Sequence, residues 1–173
     1  MKIAISLGHW GKKDRDRGAV WRGIKEAHLA ARYMVELAIA LEERGHQVWM
    51  LTYGSLYDRQ RYANKLGADL YLECHLNYAD KPGNYGLILY DARNPKNKGR
   101  AEKMAKMLTK KYGYTWKIKG IKSRKDRGSK CIWYTKMPAF ILEPAFINNA
   151  ETMIKFFEDC HRKLAAVIDE VFG

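Results

Sequence analysis

Short apolar runs recur along the whole chain, and longer segments of helical periodicity separate them. Runs of this length that are rich in β-branched and aromatic residues are typical of strands, because such side chains pack well on a pleated surface. The pattern predicts six strands, over residues 2–7, 46–52, 68–77, 85–91, 131–135 and 139–143.

Apolar residues at three- and four-residue steps predict helices between most of these runs. The first helix is predicted over 25–44, and Gly45 is a typical residue to end it. Further helices are predicted over 56–67, 96–112 and 150–171. The last of them places one stripe on a single face, made of Ile154, Phe157, His161, Leu164, Ile168 and Val171.

Strands that alternate with helices of this length indicate an α/β fold with a mostly parallel, twisted sheet of about six strands and helices on both faces. A chain of 173 residues is long enough to bury one proper core, so a single domain over 1–173 is expected. The three cysteines, Cys74, Cys131 and Cys160, are scattered and are expected to be buried reduced thiols.

Composition changes this picture mainly through charge. With 47% apolar and 29% charged residues the chain is an ordinary globular protein, but 32 Lys and Arg against 19 Asp and Glu give a net charge of +13. Such a field attracts any polyanion, whether nucleic acid, acidic membrane or an anionic wall polymer. No apolar run approaches the ~20 residues of a membrane span, and the N-terminal run is too short for a secretory signal. Synthesis in the cytoplasm is therefore expected.

Four candidate residues are predicted to converge at one edge of the sheet. His9 follows the first strand, His75 lies near the end of the third, Glu143 ends the last, and Glu26 lies in the first turn of the first helix. Function collects at the carboxyl ends of strands in such sheets. Two imidazoles and a carboxylate form a three-ligand zinc set, and a further carboxylate can act as general acid and base. Spacings of 17 and 49 residues between the ligands are a weak signal by themselves.

The sequence resembles a known family at several motifs in the same order. These are Gly8-His9-Trp10-Gly11, Gly18-Ala19, Gly23 to Glu26, Arg59 with Ala63-Asn64 and Ala68-Asp69, His75 with Asn77, and Pro138-Ala139 with Leu142-Glu143, Phe146 and Asn148 or Asn149. The resemblance is to the zinc-dependent N-acetylmuramoyl-L-alanine amidases of autolysins and phage endolysins (the type 3 amidase catalytic domain). It covers about residues 2 to 172.

This resemblance implies the roles of the four candidate residues. His9, Glu26 and His75 are expected to bind one zinc ion, and Glu143 to be the catalytic acid and base. The expected reaction is hydrolysis of the amide between N-acetylmuramic acid and L-alanine, with peptidoglycan as the partner.

Two positions depart from the family pattern: Ser6 stands where an aspartate is usual, and Glu73 where a serine is usual. Alternate residues of a strand share a face, so Glu73 is expected on the side of His75 and Asn77. We favour the hypothesis that Glu73 orients a ligand imidazole; the alternative is that it competes as a ligand. Asn77 and Arg59 are further candidates for supporting the ligands or contacting substrate.

The segment 117–130 carries a run of basic residues with two open interpretations. It is either a solvated loop or a contact with anionic wall polymer or stem-peptide carboxylates. The candidates for such a contact are Lys122, Arg124, Lys125 and Arg127. Several aromatics have a similar ambiguity between a saccharide groove and the core: Trp10, Trp21, Tyr78, Tyr85 and Trp133.

The sequence therefore predicts a zinc amidase of peptidoglycan, with a phage or prophage endolysin favoured over an autolysin. No separate wall-binding domain is expected, and the protein is expected to act on the wall after release from the cytoplasm. Two alternatives stay open, namely a zinc peptidase or deacetylase on another amide, and a non-catalytic binder of anionic polymer. Nucleic acid is disfavoured because the sequence lacks the recognition motifs of that class.

Overall fold

A six-stranded sheet forms the centre of the molecule. The computed structural model describes residues 1–9 and 16–173. The strands of this sheet are β1 (Lys2–Leu7), β4 (Gln47–Leu51), β5 (Leu70–Cys74), β6 (Gly86–Asp91), β7 (Trp116–Ile121) and β8 (Ala139–Glu143), in the order β4-β1-β5-β8-β6-β7. All neighbouring pairs are parallel except β6 and β8. A separate two-stranded ribbon joins β2 (Val20–Trp21) to β3 (Ile24–Lys25).

Helices cover both faces of this sheet, which explains why the central strands are apolar along their whole length. Every residue of β5 and β8 is buried, as expected for strands with a covered face on each side. One apolar cluster joins the sheet to α1 (Glu26–Glu42), α3 (Lys96–Tyr112), α5 (Ala150–Phe157) and α6 (Cys160–Phe172). A second cluster, on the other face, includes residues of α2 (Leu56–Leu66) and α4 (Ser129–Ile132). The predicted single-domain α/β fold with a mostly parallel sheet is confirmed.

Two of the predicted elements are wrong in detail although the number of strands in the sheet is right. Residues 131–135 are not a strand, because the chain there turns through α4 and is fastened to α2. The amide of Gln60 donates to Lys130 O at 2.7 Å and its carbonyl accepts from Tyr134 N at 2.7 Å. The sixth strand is instead β7, which occupies the start of the basic segment. The predicted last helix, 150–171, is divided into α5 and α6.

The carboxyl ends of β1, β5 and β8 are fastened side by side. Gly8 N donates to Cys74 O at 2.9 Å, and His75 N donates to Leu142 O at 2.9 Å. From α1, the buried hydroxyl of Tyr33 lies 3.0 Å from both His75 O and Leu142 O. This edge of the sheet is where the predicted site residues lie. Among the helices described, none has the length and apolar character of a membrane crossing.

Candidate active site

His9, Glu26 and His75 meet at the carboxyl edge of the sheet. Glu26 Oε1 lies 3.4 Å from His9 Nε2 and 3.1 Å from His75 Nδ1. The two imidazole rings are edge to face, with centroids 4.7 Å apart. Backbone groups fix the carboxylate between them, since Leu76 N donates to Oε1 at 3.0 Å and Ala19 N donates to Oε2 at 2.9 Å. The three side chains are therefore held in one defined arrangement.

Two glycines make this close approach sterically possible. A Cβ on Gly8 would lie 2.5 Å from His75 Cε1, and one on Gly18 would lie 2.5 Å from Glu26 Oε2. Gly18 also has a φ of +66°, in the left-handed region that favours glycine. His9 itself adopts φ 59°, an uncommon conformation for a residue with a side chain. Gly8 and Gly18 thus leave the space that His75 and Glu26 occupy.

The electrostatics of the three groups favour a charged carboxylate beside the imidazoles. Burial alone would raise the pKa of Glu26, but the hydrogen bonds to His75 and His9 outweigh it and hold that pKa well below the ordinary range. The contact with Glu26 raises the pKa of His9, against the opposing effect of burial. Burial lowers the pKa of His75, but its contacts with Cys131, Glu26 and Glu73 raise it overall.

This donor set fits a divalent metal such as zinc. One ligand atom from each of the three residues lies within 4.8 Å of the other two. Imidazole nitrogens and a carboxylate oxygen are ordinary zinc ligands, and three protein ligands leave one position open. The nitrogen of each ring that faces away from Glu26 has a carboxylate near it. His9 Nδ1 lies 2.7 Å from Asp16 Oδ1, and His75 Nε2 lies 3.7 Å from Glu73 Oε1.

Glu143 lies at the end of β8 and lines the same cavity as the three ligand candidates. The cavity has a volume of about 420 Å³. Burial raises the pKa of Glu143, and the positive charge of Arg127 opposes this rise. Arg127 donates through one Nη to both carboxylate oxygens, at 2.7 and 2.9 Å, and lies 3.3 Å from Asn77 Oδ1.

A buried polar cluster lies behind His75. Glu73 is fully buried, and its Oε2 accepts a hydrogen bond from the Tyr71 hydroxyl at 2.7 Å. Its Oε1 has no hydrogen-bond partner within the described part of the chain. Cys131 Sγ lies 3.8 Å from His75 Nε2. Burial would raise the pKa of Glu73, but His75, Tyr71 and Arg59 together lower it.

The structure separates the remaining candidates into two groups. Asn77 lines the cavity, whereas Arg59 is buried at the edge of a different cavity and donates to Ser6 Oγ at 3.2 Å and to Leu7 O. Of the basic candidates, Arg127 reaches the cavity, while Lys122, Arg124 and Lys125 are exposed. Tyr78 is the aromatic candidate that lines the cavity; Trp10 and Gly11 lie outside the described residues.

Several contacts of the site are not predictable from the motifs. Asp16 beside His9, Tyr71 beside Glu73 and Cys131 beside His75 all arise from chain segments that fold together. The cysteine expectation itself holds for Cys74 and Cys131, which are buried and free. An acidic residue between two basic ones, such as Asp16 in this sequence, is too common a pattern to identify a partner of a metal ligand.

Comparisons with known proteins find a matching family model and similar sequences. The family model described as N-acetylmuramoyl-L-alanine amidase matches residues 3–168. The endolysin of Bacillus phage SPP1 is 30% identical over 86% of this chain and 56% of its own length. The N-acetylmuramoyl-L-alanine amidase LytC of Bacillus subtilis is 31% identical over 95% of this chain and 33% of its own length. The chain thus spans about half and about a third of these two relatives.

Solved structures of amidases share the fold. An N-acetylmuramoyl-L-alanine amidase of Clostridium difficile 630 matches with a TM-score of 0.78 and 21% identity, over 98% of this chain and 93% of that one. The catalytic domain of CwlV from Bacillus (Paenibacillus) polymyxa matches with a TM-score of 0.73 and 24% identity, over 98% and 94%. At these identities the likeness bears on the fold alone.

Proposed function

The chain belongs to the N-acetylmuramoyl-L-alanine amidase family, and from this membership we propose that it is a zinc-dependent hydrolase of peptidoglycan. The bond cut is the amide that joins the lactyl group of N-acetylmuramic acid to the L-alanine of the stem peptide. The observation that carries the proposal is the meeting of two imidazole nitrogens and one carboxylate oxygen within 4.8 Å, in a cavity that Glu143 also lines.

His9, Glu26 and His75 would hold the zinc ion. When bound, the ion supplies a Lewis acid that polarises the scissile carbonyl and lowers the pKa of water to ~7. The backbone amides of Ala19 and Leu76 keep Glu26 in place, and Asp16 fixes the ring of His9. Such outer partners hold a ligand imidazole in the required tautomer and orientation.

Glu143 moves the proton in this proposal. Its carboxylate takes a proton from the attacking water as the new bond from oxygen to the carbonyl carbon forms. It then gives the proton to the amide nitrogen as the carbon–nitrogen bond breaks, so that the products are a lactyl carboxylate and a free L-alanine amine. Burial raises the pKa of Glu143, which makes its carboxylate a better proton acceptor, and the hydrogen bonds from Arg127 orient the carboxylate and favour its charged form.

The product of the reaction tests the proposal. Purified peptidoglycan is incubated with the protein, and the soluble products are identified by mass spectrometry with and without a zinc chelator. Stem peptides that begin with a free L-alanine, and appear only with metal present, are expected. Cleavage at another amide would point to a peptidase or deacetylase, and the absence of any product from metal-loaded protein would contradict the proposal.

Matched variants assign the roles. Glu143→Gln is expected to lower the rate by at least about 100-fold, since general acid–base catalysis contributes on the order of 10² to 10⁴. Glu151→Gln, a surface change of the same chemistry, is expected to leave the rate unchanged. His9→Ala is expected to abolish zinc binding, whereas His28→Ala, at an exposed position on α1, is expected to retain it.

We also propose that the protein acts as an endolysin that is made in the cytoplasm and reaches the wall after the membrane is breached. The similarity to the phage SPP1 endolysin supports this role, and the similarity to LytC leaves an autolysin as the competing one. Cells that express the chain are expected to stay intact until a membrane-permeabilising agent is added, and then to lyse. Lysis without that agent would contradict the endolysin role.

A further inference from the structure

A continuous row of aromatic rings and arginines lies on the surface beside the catalytic cavity. We call it the aromatic–arginine strip, and it consists of Arg61, Tyr57, Tyr134, Arg124, Trp133 and Arg93. On α2, the guanidinium of Arg61 lies 5.6 Å from the ring centre of Tyr57, one helical turn away. The ring of Tyr57 packs edge to face on Tyr134, with centroids 4.8 Å apart.

The row continues beyond Tyr134 with the same alternation of ring and cation. Arg124 lies 5.6 Å from the ring of Tyr134 and 5.8 Å from the ring of Trp133. On the other side of Trp133, the guanidinium of Arg93 lies 4.0 Å from the ring centre. Three separate parts of the chain therefore contribute to one alternating surface.

Hydrogen bonds below the strip hold these three parts together before any ligand arrives, and Arg93 joins the others by donating to Trp133 O at 2.8 Å. Gln60 ties α2 to Lys130 and Tyr134, as described above. One turn later, Asn64 donates to Tyr134 O at 2.8 Å and accepts from Lys136 N at 2.9 Å. A preformed surface loses little conformational entropy when it binds.

The strip is exposed and positively charged. Tyr57 and Tyr134 are 46% and 42% exposed, although their rings pack against each other. They line a cavity of about 370 Å³ with Arg61, Asn64, Lys65 and Lys136. Of the carboxylates close in sequence to the strip, Asp91 pairs with Arg93, and Asp58 and Asp126 accept local hydrogen bonds from Ser55 and Ser123. Arg61, Lys65, Arg124 and Lys136 are all exposed, so this part of the surface presents four cationic side chains to solvent.

We propose that the aromatic–arginine strip binds a phosphate-bearing polymer of the bacterial wall, such as one with polyol-phosphate or sugar-phosphate repeats. Guanidinium groups bind phosphate through two parallel hydrogen bonds, and exposed rings accept the less polar faces of sugar or polyol units. The inference rests on the proposed function, because it makes the strip the surface that brings an amidase to its substrate.

The position of the strip favours a wall polymer over other polyanions. The segment from Arg124 to Tyr134 belongs both to the strip and to the wall of the catalytic cavity. Its two ends lie in the strip, and Arg127, Gly128 and Cys131 between them line the cavity. A polymer that lies on the strip therefore holds the cavity next to the wall to which the polymer is attached. Single-stranded nucleic acid has similar phosphate and ring chemistry and is distinguished in the test.

The test measures binding with a catalytically inactive protein. The Glu143→Gln variant is sedimented with walls that retain their phosphate polymer and with walls from which the polymer has been stripped chemically. Strong binding is expected on the first and weak binding on the second. Adding Arg61→Gln and Arg124→Gln is expected to weaken binding to the intact walls about fivefold to tenfold at 0.1 M salt.

A matched control separates the strip from general charge. Lys106→Gln with Lys110→Gln removes the same two charges from exposed positions on α3, and binding is expected to stay near that of the parent. Equal losses in both double variants would overturn the proposal, and so would strong binding to stripped walls. Competition by single-stranded DNA but not by soluble poly(glycerol phosphate) would overturn it in favour of nucleic acid.

An activity assay with the wild-type protein separates the test of the strip from the test of the proposed reaction. Release of stem peptides from stripped walls reports the amidase activity without the polymer. Activity there with no polymer-dependent binding would reject the strip alone, and polymer-dependent binding with no activity would reject the reaction alone.

Discussion

At the scale of single residues, the most informative feature is the buried carboxylate of Glu73 on β5. The family pattern instead has a carboxylate at the position of Ser6, on the neighbouring strand β1. Ser6 on β1 and Glu73 on β5 are direct register partners in the parallel sheet. Arg59 donates to Ser6 Oγ and lowers the pKa of Glu73 through its charge. The buried guanidinium of Arg59 therefore has an acidic neighbour on β5, at the register position opposite Ser6.

The carboxylate of Glu73, 3.7 Å from His75 Nε2, leads to a prediction about metal binding. Glu73→Gln is expected to weaken zinc affinity about tenfold, because outer partners of ligand histidines contribute on the order of 10- to 100-fold. The Glu73→Ser variant is expected to lose as much, and combining it with Ser6→Asp is expected to recover part of the loss. Zinc affinity is measured by competition with a chromophoric chelator. Unchanged affinity and rate in Glu73→Gln would reject the positioning role.

Arg127 leads to a prediction about pH. Glu143 must be charged to accept a proton, and Arg127 opposes the upward shift of its pKa that burial causes. Removing that cation raises the pKa further, so a smaller fraction of Glu143 is charged at a given acidic pH. The acid limb of the profile of kcat/KM against pH is thus expected to move to higher pH in Arg127→Gln. Lys125→Gln, on the same loop, provides the control, and an unmoved limb would contradict the contact.

At the scale of elements, the strongly periodic segments are predictable and the segments held by long-range contacts are not. Residues 2–7 and 139–143 form strands with the bounds that their apolar runs predict. The run "CIWYT" has strand propensity, yet Gln60 and Asn64 of α2 bind the backbone of Tyr134 and the chain turns through α4. The opposite error concerns β7, a strand that was not predicted. The alternation of Lys117, Ile118 and Lys119 is a period-two signal typical of a strand, but it lies inside a basic segment.

The residues of the site divide in the same way, into those that the strand pattern predicts and those placed by long-range contacts. His9, Glu26, His75 and Glu143 were predicted to converge because the carboxyl ends of neighbouring strands meet at one edge, and all four line one cavity. The contact of Arg127 with Glu143 depends on how the loop before α4 folds back over β8, which no local pattern encodes.

Helix α1 leads to a prediction about how the sheet edge is held. Tyr33 is fully buried, and its hydroxyl is the side-chain donor that reaches both His75 O and Leu142 O. Tyr33→Phe is expected to lower the free energy of unfolding by about 0.5–1.5 kcal/mol, because it removes the hydrogen bond to His75 O, whereas Leu142 O keeps the one from His75 N. Urea unfolding measures the change, and Tyr62→Phe on the surface of α2 is the control. A loss no larger than that of the control would mean that the hydroxyl does not hold the edge.

At the scale of the whole molecule, the metal candidates join parts of the chain that are far apart in sequence. His9 follows β1, Glu26 begins α1 and His75 follows β5. One ion bound by all three would therefore link two strands of the sheet to the first helix. Because an unfolded chain does not present these three ligands together, zinc binding is expected to stabilise the folded state as a whole. The stability of the protein should therefore report site occupancy independently of activity.

The thermal midpoint provides that measurement. Free zinc at 100 times its Kd contributes about 2.7 kcal/mol, which corresponds to a rise of roughly 5–11 °C for a domain of this size. The rise is expected in the wild type and in His28→Ala, to be reversed by chelator, and to be absent in His9→Ala. A rise of the same size in His9→Ala would mean that zinc binds elsewhere, since removing one of three ligands should weaken this site far more than any other.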